Sequence, residues 1–227
     1  MAVSSSPDPR LRPRPEEVRL TEIFLSLQGE ADSVGWPTVF VRLTGCPLRC
    51  AWCDTAYAFH GGRRQPVEAV LEQVAAHGAE RVTVTGGEPL AQPGCHALLA
   101  RLCDAGYRVS LETSGALDIA PVDPRVVKVM DLKAPASGES ARNRWENLDH
   151  LGPSDQVKIV IADREDYLWA RHVVRHRNLA ERCQVLFSPA YGRLEPRRLA
   201  DWILQDRLPV RFQVQLHKLL WGEAPGH

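Results

Sequence analysis

The strongest constraint on the fold is an alternation of short β-branched segments with helical segments of about 10 to 15 residues. Thr38–Leu43 is β-branched and aromatic and is expected to be a strand. Val67, Val70, Leu71 and Val74 recur at helical spacing, which predicts an amphipathic helix over Pro66–His77 with proline near its first turn. Further strands are expected at Arg81–Thr85, Tyr107–Leu111, Val126–Leu132, Gln156–Ile161, Gln184–Phe187 and Val210–Leu216, with helices at Gly94–Ala105, Arg164–His176 and Glu195–Gln205. Strands separated by helices indicate βαβ units and a mostly parallel sheet. About six such units are too few for a closed eight-fold barrel, which usually needs about 250 residues. The expected fold is α/β, an open, partial parallel β/α barrel. Pro7, Pro9, Pro13 and Pro15 forbid a regular helix near the start, so residues 1–17 are expected to be a disordered leader before a single domain over 18–227.

Charge and hydropathy exclude some partners. The 227 residues hold 28 Lys plus Arg and 28 Asp plus Glu, so the net charge is zero. A nucleic-acid binder usually shows a basic excess, so no nucleic acid is expected. No apolar run reaches the roughly 18 residues of a membrane span. The N-terminus lacks the apolar stretch of a secretory signal. A cytoplasmic, reducing location without membrane attachment is the expectation.

Chemistry gathers at the carboxyl ends of strands in such sheets, and the distinctive motifs of this chain fall there. Cys46, Cys50 and Cys53 follow the first expected strand with the spacing C-x3-C-x2-C and no fourth cysteine nearby. Three thiolates can hold three irons of a 4Fe–4S cluster and leave the fourth open, whereas an electron-transfer cluster usually has four thiolates. Two alternatives stay open on spacing alone: a zinc site completed by His60, and a disulfide with one spare thiol, which suits a reducing compartment poorly. Cys95, Cys103 and Cys183 lie apart and read as buried structural thiols. Thr85-Gly86-Gly87-Glu88-Pro89 ends the second expected strand. Its glycines allow a ligand to approach the backbone closely, although Gly-Gly and Pro also make plain turns. Glu112-Thr113-Ser114-Gly115 follows the third strand, Asp131 and Lys133 end the fourth, and His217 and Lys218 are expected to end the last.

The three-cysteine motif followed by Gly-Gly-Glu-Pro resembles the radical S-adenosylmethionine (SAM) superfamily. The resemblance implies that Cys46, Cys50 and Cys53 hold the cluster, and that Gly86, Gly87 and Glu88 contact SAM. Ser26-Leu27-Gln28-Gly29-Glu30, Cys53-Asp54-Thr55 and Gln215-Leu216-His217-Lys218 are similar to signatures of the 7-carboxy-7-deazaguanine synthase family. That family converts 6-carboxy-tetrahydropterin to 7-carboxy-7-deazaguanine with loss of ammonia, on the way to queuosine and other 7-deazapurines. The resemblance runs from about Val18 to Gly222. It implies a lyase that uses a 4Fe–4S cluster, SAM and Mg2+, takes electrons from a reducing protein such as flavodoxin or ferredoxin, and forms a homodimer. Another radical SAM enzyme, such as a glycyl-radical activating enzyme, shares the cysteine spacing and is the alternative.

The residues are compatible with a pterin. Its carboxylate needs a cation, and Arg42, Lys133 and His217 are candidates; the resemblance also puts Lys133 near SAM. Gln28 and Glu30 can pair with a guanine-like ring edge, or else lie in a solvated loop. Arg42 can equally serve a structural ion pair, and His217 can be a surface residue. Thr55 matches the family's magnesium contact, a hard-oxygen role, or caps the next turn. Glu112 and Ser114 are expected to line the SAM or substrate pocket. Three positions depart from the family pattern: Ala31 stands where glycine often completes Gln-Gly-Glu-Gly, Ser114 where asparagine is common, and Asp131-Leu132-Lys133 where many members read Ser-Pro-Lys.

Overall fold

The computed structural model describes residues 16–222 with Ala224 and Gly226. Apart from Glu16 and Glu17, the expected leader lies outside the described residues. In chain order the elements are β1 (Glu17–Leu27), β2 (Pro37–Leu43), β3 (Arg63–Pro66), α1 (Val67–Ala75), β4 (Arg81–Gly86), α2 (Gly94–Asp104), β5 (Arg108–Thr113), β6 (Val127–Asp131), β7 (Gln156–Ile161), α3 (Arg164–His176), α4 (Leu179–Arg182), β8 (Gln184–Pro189), α5 (Pro196–Asp206), β9 (Arg211–Phe212) and α6 (Leu216–Trp221). One sheet takes all nine strands in the order β3-β1-β2-β4-β5-β6-β7-β8-β9. β1 runs antiparallel to both β2 and β3. From β2 to β9 every pairing is parallel. Among the described residues the sheet does not close, because β3 and β9 remain as edges. This is the open α/β architecture expected from the alternation.

The parallel strands carry two different faces. Val39, Val41 and Leu43 of β2, and Val157, Ile159 and Ile161 of β7, enter the apolar core. So do Leu98, Leu99 and Leu102 of α2, each with no exposed surface; burying each leucine contributes about 1.5–3 kcal/mol. The alternate residues Phe40 and Arg42 of β2, Val129 and Asp131 of β6, and Lys158 and Val160 of β7 face a cleft instead. Period-two alternation thus separates the helix-packed core from the functional face.

The structure adds two strands that were not expected and shortens one that was. β1 is a long strand that the sequence pattern does not announce, because its pairing register shifts between Leu20 and Glu22 and breaks the alternation. β3 reads Arg-Arg-Gln-Pro and has no apolar signal; its backbone alone joins it to β1. The strand expected over Val210–Leu216 contracts to Arg211–Phe212, since Gln213 turns its side chain to accept from the Ala31 N–H at 3.0 Å. His217 and Lys218 therefore stand on the first turns of α6, not at a strand end.

Candidate active site

The carboxyl ends of the strands surround a cleft of about 750 Å3, within the usual range for small-molecule sites. Of the expected site residues, Cys46, Cys50, Cys53, Thr55, Gly86, Gly87, Glu112, Ser114, Lys133, Gln28, Glu30, Arg42 and His217 all line it. Glu88 does not.

The cysteine loop leaves β2 through Gly45, whose φ of 99° is glycine's own region. The three thiols are partly exposed in the cleft, and all six cysteines of the chain are free. Leu48 N–H points at Cys46 Sγ over 3.4 Å, and Cys53 N–H bonds the Cys50 carbonyl at 3.1 Å. Burial pushes the Cys46 and Cys50 thiols up, and Lys133 opposes the shift at both. His60 is exposed and absent from the cleft wall, so the zinc alternative lacks its fourth donor. Three soft thiols at the cleft, with no fourth sulfur beside them, fit a cluster that keeps one iron open.

Beside this loop, β2 and β4 end in register at Leu43 and Gly86. A Cβ on Gly86 would lie 2.3 Å from the Leu43 carbonyl oxygen; one on Gly87 would lie 2.3 Å from the Gly45 oxygen and 2.7 Å from Cys46 Cβ. Only glycine lets the two turns approach this closely. Glu88 N–H then bonds the Gly45 carbonyl at 2.8 Å.

The Glu88 carboxylate is fully buried and points away from the cleft. It accepts from Thr113 Oγ1 at 2.9 and 3.0 Å, Ser114 N at 2.6 Å, Ser114 Oγ at 2.5 Å and Leu90 N at 3.0 Å. In the structure Glu88 stands behind the cleft wall and fixes its Thr113–Ser114 segment. Ser114 makes this contact through both its backbone N–H and its hydroxyl.

On the opposite wall Gln28 and Glu30 are buried, not in a solvated loop. Gln28 Nε2 donates to Thr83 Oγ1 at 3.1 Å and reaches Glu112 Oε1 at 3.4 Å. Glu30 pairs with Lys158 and accepts from Gln215 Nε2 at 2.7 Å. The intervening Gly29 has no room for a side chain, as a Cβ there would meet His217 Nδ1 at 2.0 Å. Burial draws His217 below its ordinary value, against the pull of Glu30 and Asp54. Arg42 donates through Nε to Glu22 at 2.7 Å and lies 5.8 Å from the Phe24 and Tyr57 ring centres, so a structural pair and a cleft position coexist.

Lys158 is the residue that the sequence reading missed. It sits on β7 in register with Asp131 of β6, 3.8 Å from Asp131 Oδ2, while Lys133 binds the same oxygen at 2.8 Å. Burial disfavours the Lys158 charge, but Asp131, Glu30 and Glu112 together hold it protonated, well above the ordinary range. Burial raises Asp131 too, yet Lys133 and Lys158 outweigh it and keep the carboxyl ionised. Asp131 Oδ1 is buried without a hydrogen-bond partner, an acceptor that a bound N–H or O–H group would satisfy. A lysine in the apolar strand Gln-Val-Lys-Ile-Val-Ile was the available signal, because period two turns it to the cleft.

Residues 40–131 match the model of the Radical SAM superfamily. Over 208 residues the chain is 45% identical to the 7-carboxy-7-deazaguanine synthase of Chlorobaculum tepidum, covering 90% of this chain and 94% of that protein. The synthase of Koribacter versatilis is 44% identical, with 90% and 97% covered. The chain belongs to the 7-carboxy-7-deazaguanine synthase family. In fold it is similar to the crystal structure of QueE from Escherichia coli, with a TM-score of 0.73 and 21% identity over 88% of this chain and 95% of that one. As a radical SAM lyase of deazapurine biosynthesis, the family member uses a 4Fe–4S cluster and SAM. Among the described residues, no helix is long and apolar enough to cross a membrane.

Proposed function

We propose that the chain converts 6-carboxy-5,6,7,8-tetrahydropterin to 7-carboxy-7-deazaguanine with loss of ammonia, in the cytoplasm. The observation that carries this reading is that the three-cysteine loop and the buried Gln28–Glu30 turn face one cleft. Cys46, Cys50 and Cys53 hold the cluster, and the backbone at Gly86–Gly87 with Ser114, Lys133 and Glu112 takes SAM. Together these groups supply one-electron cleavage of SAM and hydrogen abstraction from the substrate. The protein's own share is placement and water exclusion. Gln28 and Glu30 meet the donor and acceptor edge of the pterin, while Arg42 and His217 meet its carboxylate. Thr55 takes Mg2+. Its position supports this, because it stands at the cap of the Ala56–Phe59 turn yet its side chain makes no capping hydrogen bond. Lys158 holds Glu30 in place through an ion pair and keeps Asp131 ionised. An acidic electron carrier such as flavodoxin or ferredoxin supplies the electron, and two copies form the working dimer.

The test is anaerobic reconstitution with iron and sulfide. Incubation with SAM, reductant, Mg2+ and the carboxypterin follows, read by visible absorbance and product mass. Conversion by the brown wild type and none by Cys50→Ala, which is expected to lose the cluster and all turnover, supports the reading. SAM cleavage without carboxydeazaguanine rejects the substrate and returns the glycyl-radical activating alternative. Normal SAM cleavage by Cys50→Ala rejects the cluster assignment.

A further inference from the structure

α6 should not be stable on its own. It has six residues and buries none of them, whereas isolated helices shorter than about 12 residues are marginal even for the best sequences. Two of its leucines lie outward: Leu219 is 68% and Leu220 52% exposed. Polar tethers hold it, and they reach two separate parts of the site. Leu216 N–H bonds the Gly29 carbonyl at 3.0 Å, and Gln215 Nε2, one residue before the helix, bonds Glu30. A further tether is Lys218, whose Nζ lies 2.9 Å from Asp54 Oδ2, between Cys53 and Thr55 in the cysteine loop. The Lys218 side chain is only 9% exposed, covered in part by the Tyr191 ring at 4.9 Å. His217, adjacent to Lys218, is the residue that α6 packs over Gly29.

From this arrangement we infer that the Asp54–Lys218 pair couples the cysteine loop to the substrate wall. Lys218 is a positioning residue: it clamps α6 to the loop so that His217 reaches the cleft only when the loop is in its ordered place. Both Asp54 and Lys218 line the cleft, and the additivity of their effects separates coupling from direct contact with the ligand. The inference rests on the reading of the cleft given above.

The experiment is a double-mutant cycle of Asp54→Asn and Lys218→Met in the reconstituted enzyme, with hydrogen exchange of α6 amides as a second readout that needs no turnover. Each single change is expected to raise KM for the carboxypterin roughly five-fold with kcat within about two-fold, a shift of ~1 kcal/mol, which a partly exposed pair can carry. The double variant should be no worse than either single one. Exchange should quicken in α6 while β7 stays protected and iron content holds. Lys218→Arg, which retains the charge, should restore most of the KM effect. Additive KM effects would mean that Lys218 acts on the ligand directly and would overturn the coupling, as would unchanged α6 exchange in Lys218→Met. Loss of iron in Lys218→Met would make the pair a cluster-loop brace and also overturn it. A wild type that fails to turn over the carboxypterin would instead remove the functional reading, while the exchange result would still decide whether α6 is clamped.

Discussion

At the scale of single residues, the site combines satisfied groups with a few that are held against their preference. Ala31 is nearly fully buried at φ 65°, a conformation that costs a side-chain-bearing residue about 1–2 kcal/mol. Position 31 is thus a place where glycine is physically favoured. Ala31→Gly is expected to raise stability by ~0.5–1 kcal/mol, after the entropy that glycine adds to the unfolded chain. In a thermal scan Tm should rise by about 2 °C. Glu112 shows the opposite tension. Burial raises its carboxyl above the ordinary range, only partly offset by Lys158. A folded-state value above the unfolded one means that the folded chain binds the proton more tightly. The group's contribution is then fully present below its unfolded value and is lost as pH climbs through the folded one. Glu112→Gln should therefore stabilise the protein at neutral pH, with the gain shrinking as pH is lowered into the carboxylate range, while turnover falls. Denaturant titrations at several pH values read this; a gain that grows on acidification would refute it.

Elements differ in how openly the sequence declares them. The cysteine loop was legible because its three cysteines are close in sequence and thiols are a distinctive residue type. The strands and helices of the parallel region were legible because each buries an apolar face. β3 was not, since an edge strand paired through its backbone alone leaves no side-chain signature. α6 was hidden because Gln215 to Lys218 read as a strand end, and its helix is held by distant tethers. Lys158 and the inward turn of Glu88 were hidden for a related reason: their partners lie on other strands, and only register reveals them. The junction of β2 and β4 gives the prediction at this scale. Gly87→Ala should push the Gly45–Cys46 turn aside, because the obstacles are backbone and cannot rotate away. The expected cost is about 1–3 kcal/mol, with iron content reduced by at least half and circular dichroism close to wild type.

For the whole molecule, the buried charges tie distant parts of the chain together. Lys158 joins β7 to the turn after β1 and to the end of β6, with its own side chain 11% and that of Glu30 9% exposed. Removing one member of such a pair leaves the others uncompensated, at a cost of about 3–5 kcal/mol. Lys158→Met should lower the unfolding free energy by that amount, and adding Glu30→Gln should recover part of it. Equal stability of the single variant and the wild type in urea would show that the network is solvated.

The open sheet also has consequences for how the protein behaves at high concentration. Among the described residues two strand edges stay unpaired, and such edges are templates on which other copies can add strands. Here one edge is four residues long, carries Arg63 and Arg64 and ends in Pro66; the other, β9, has two residues. Like charges repel across the first, and its proline cannot donate to a new ladder. The second is too short to nucleate one. Self-association by strand addition is thus guarded at both edges, by charge and proline at β3 and by shortness at β9.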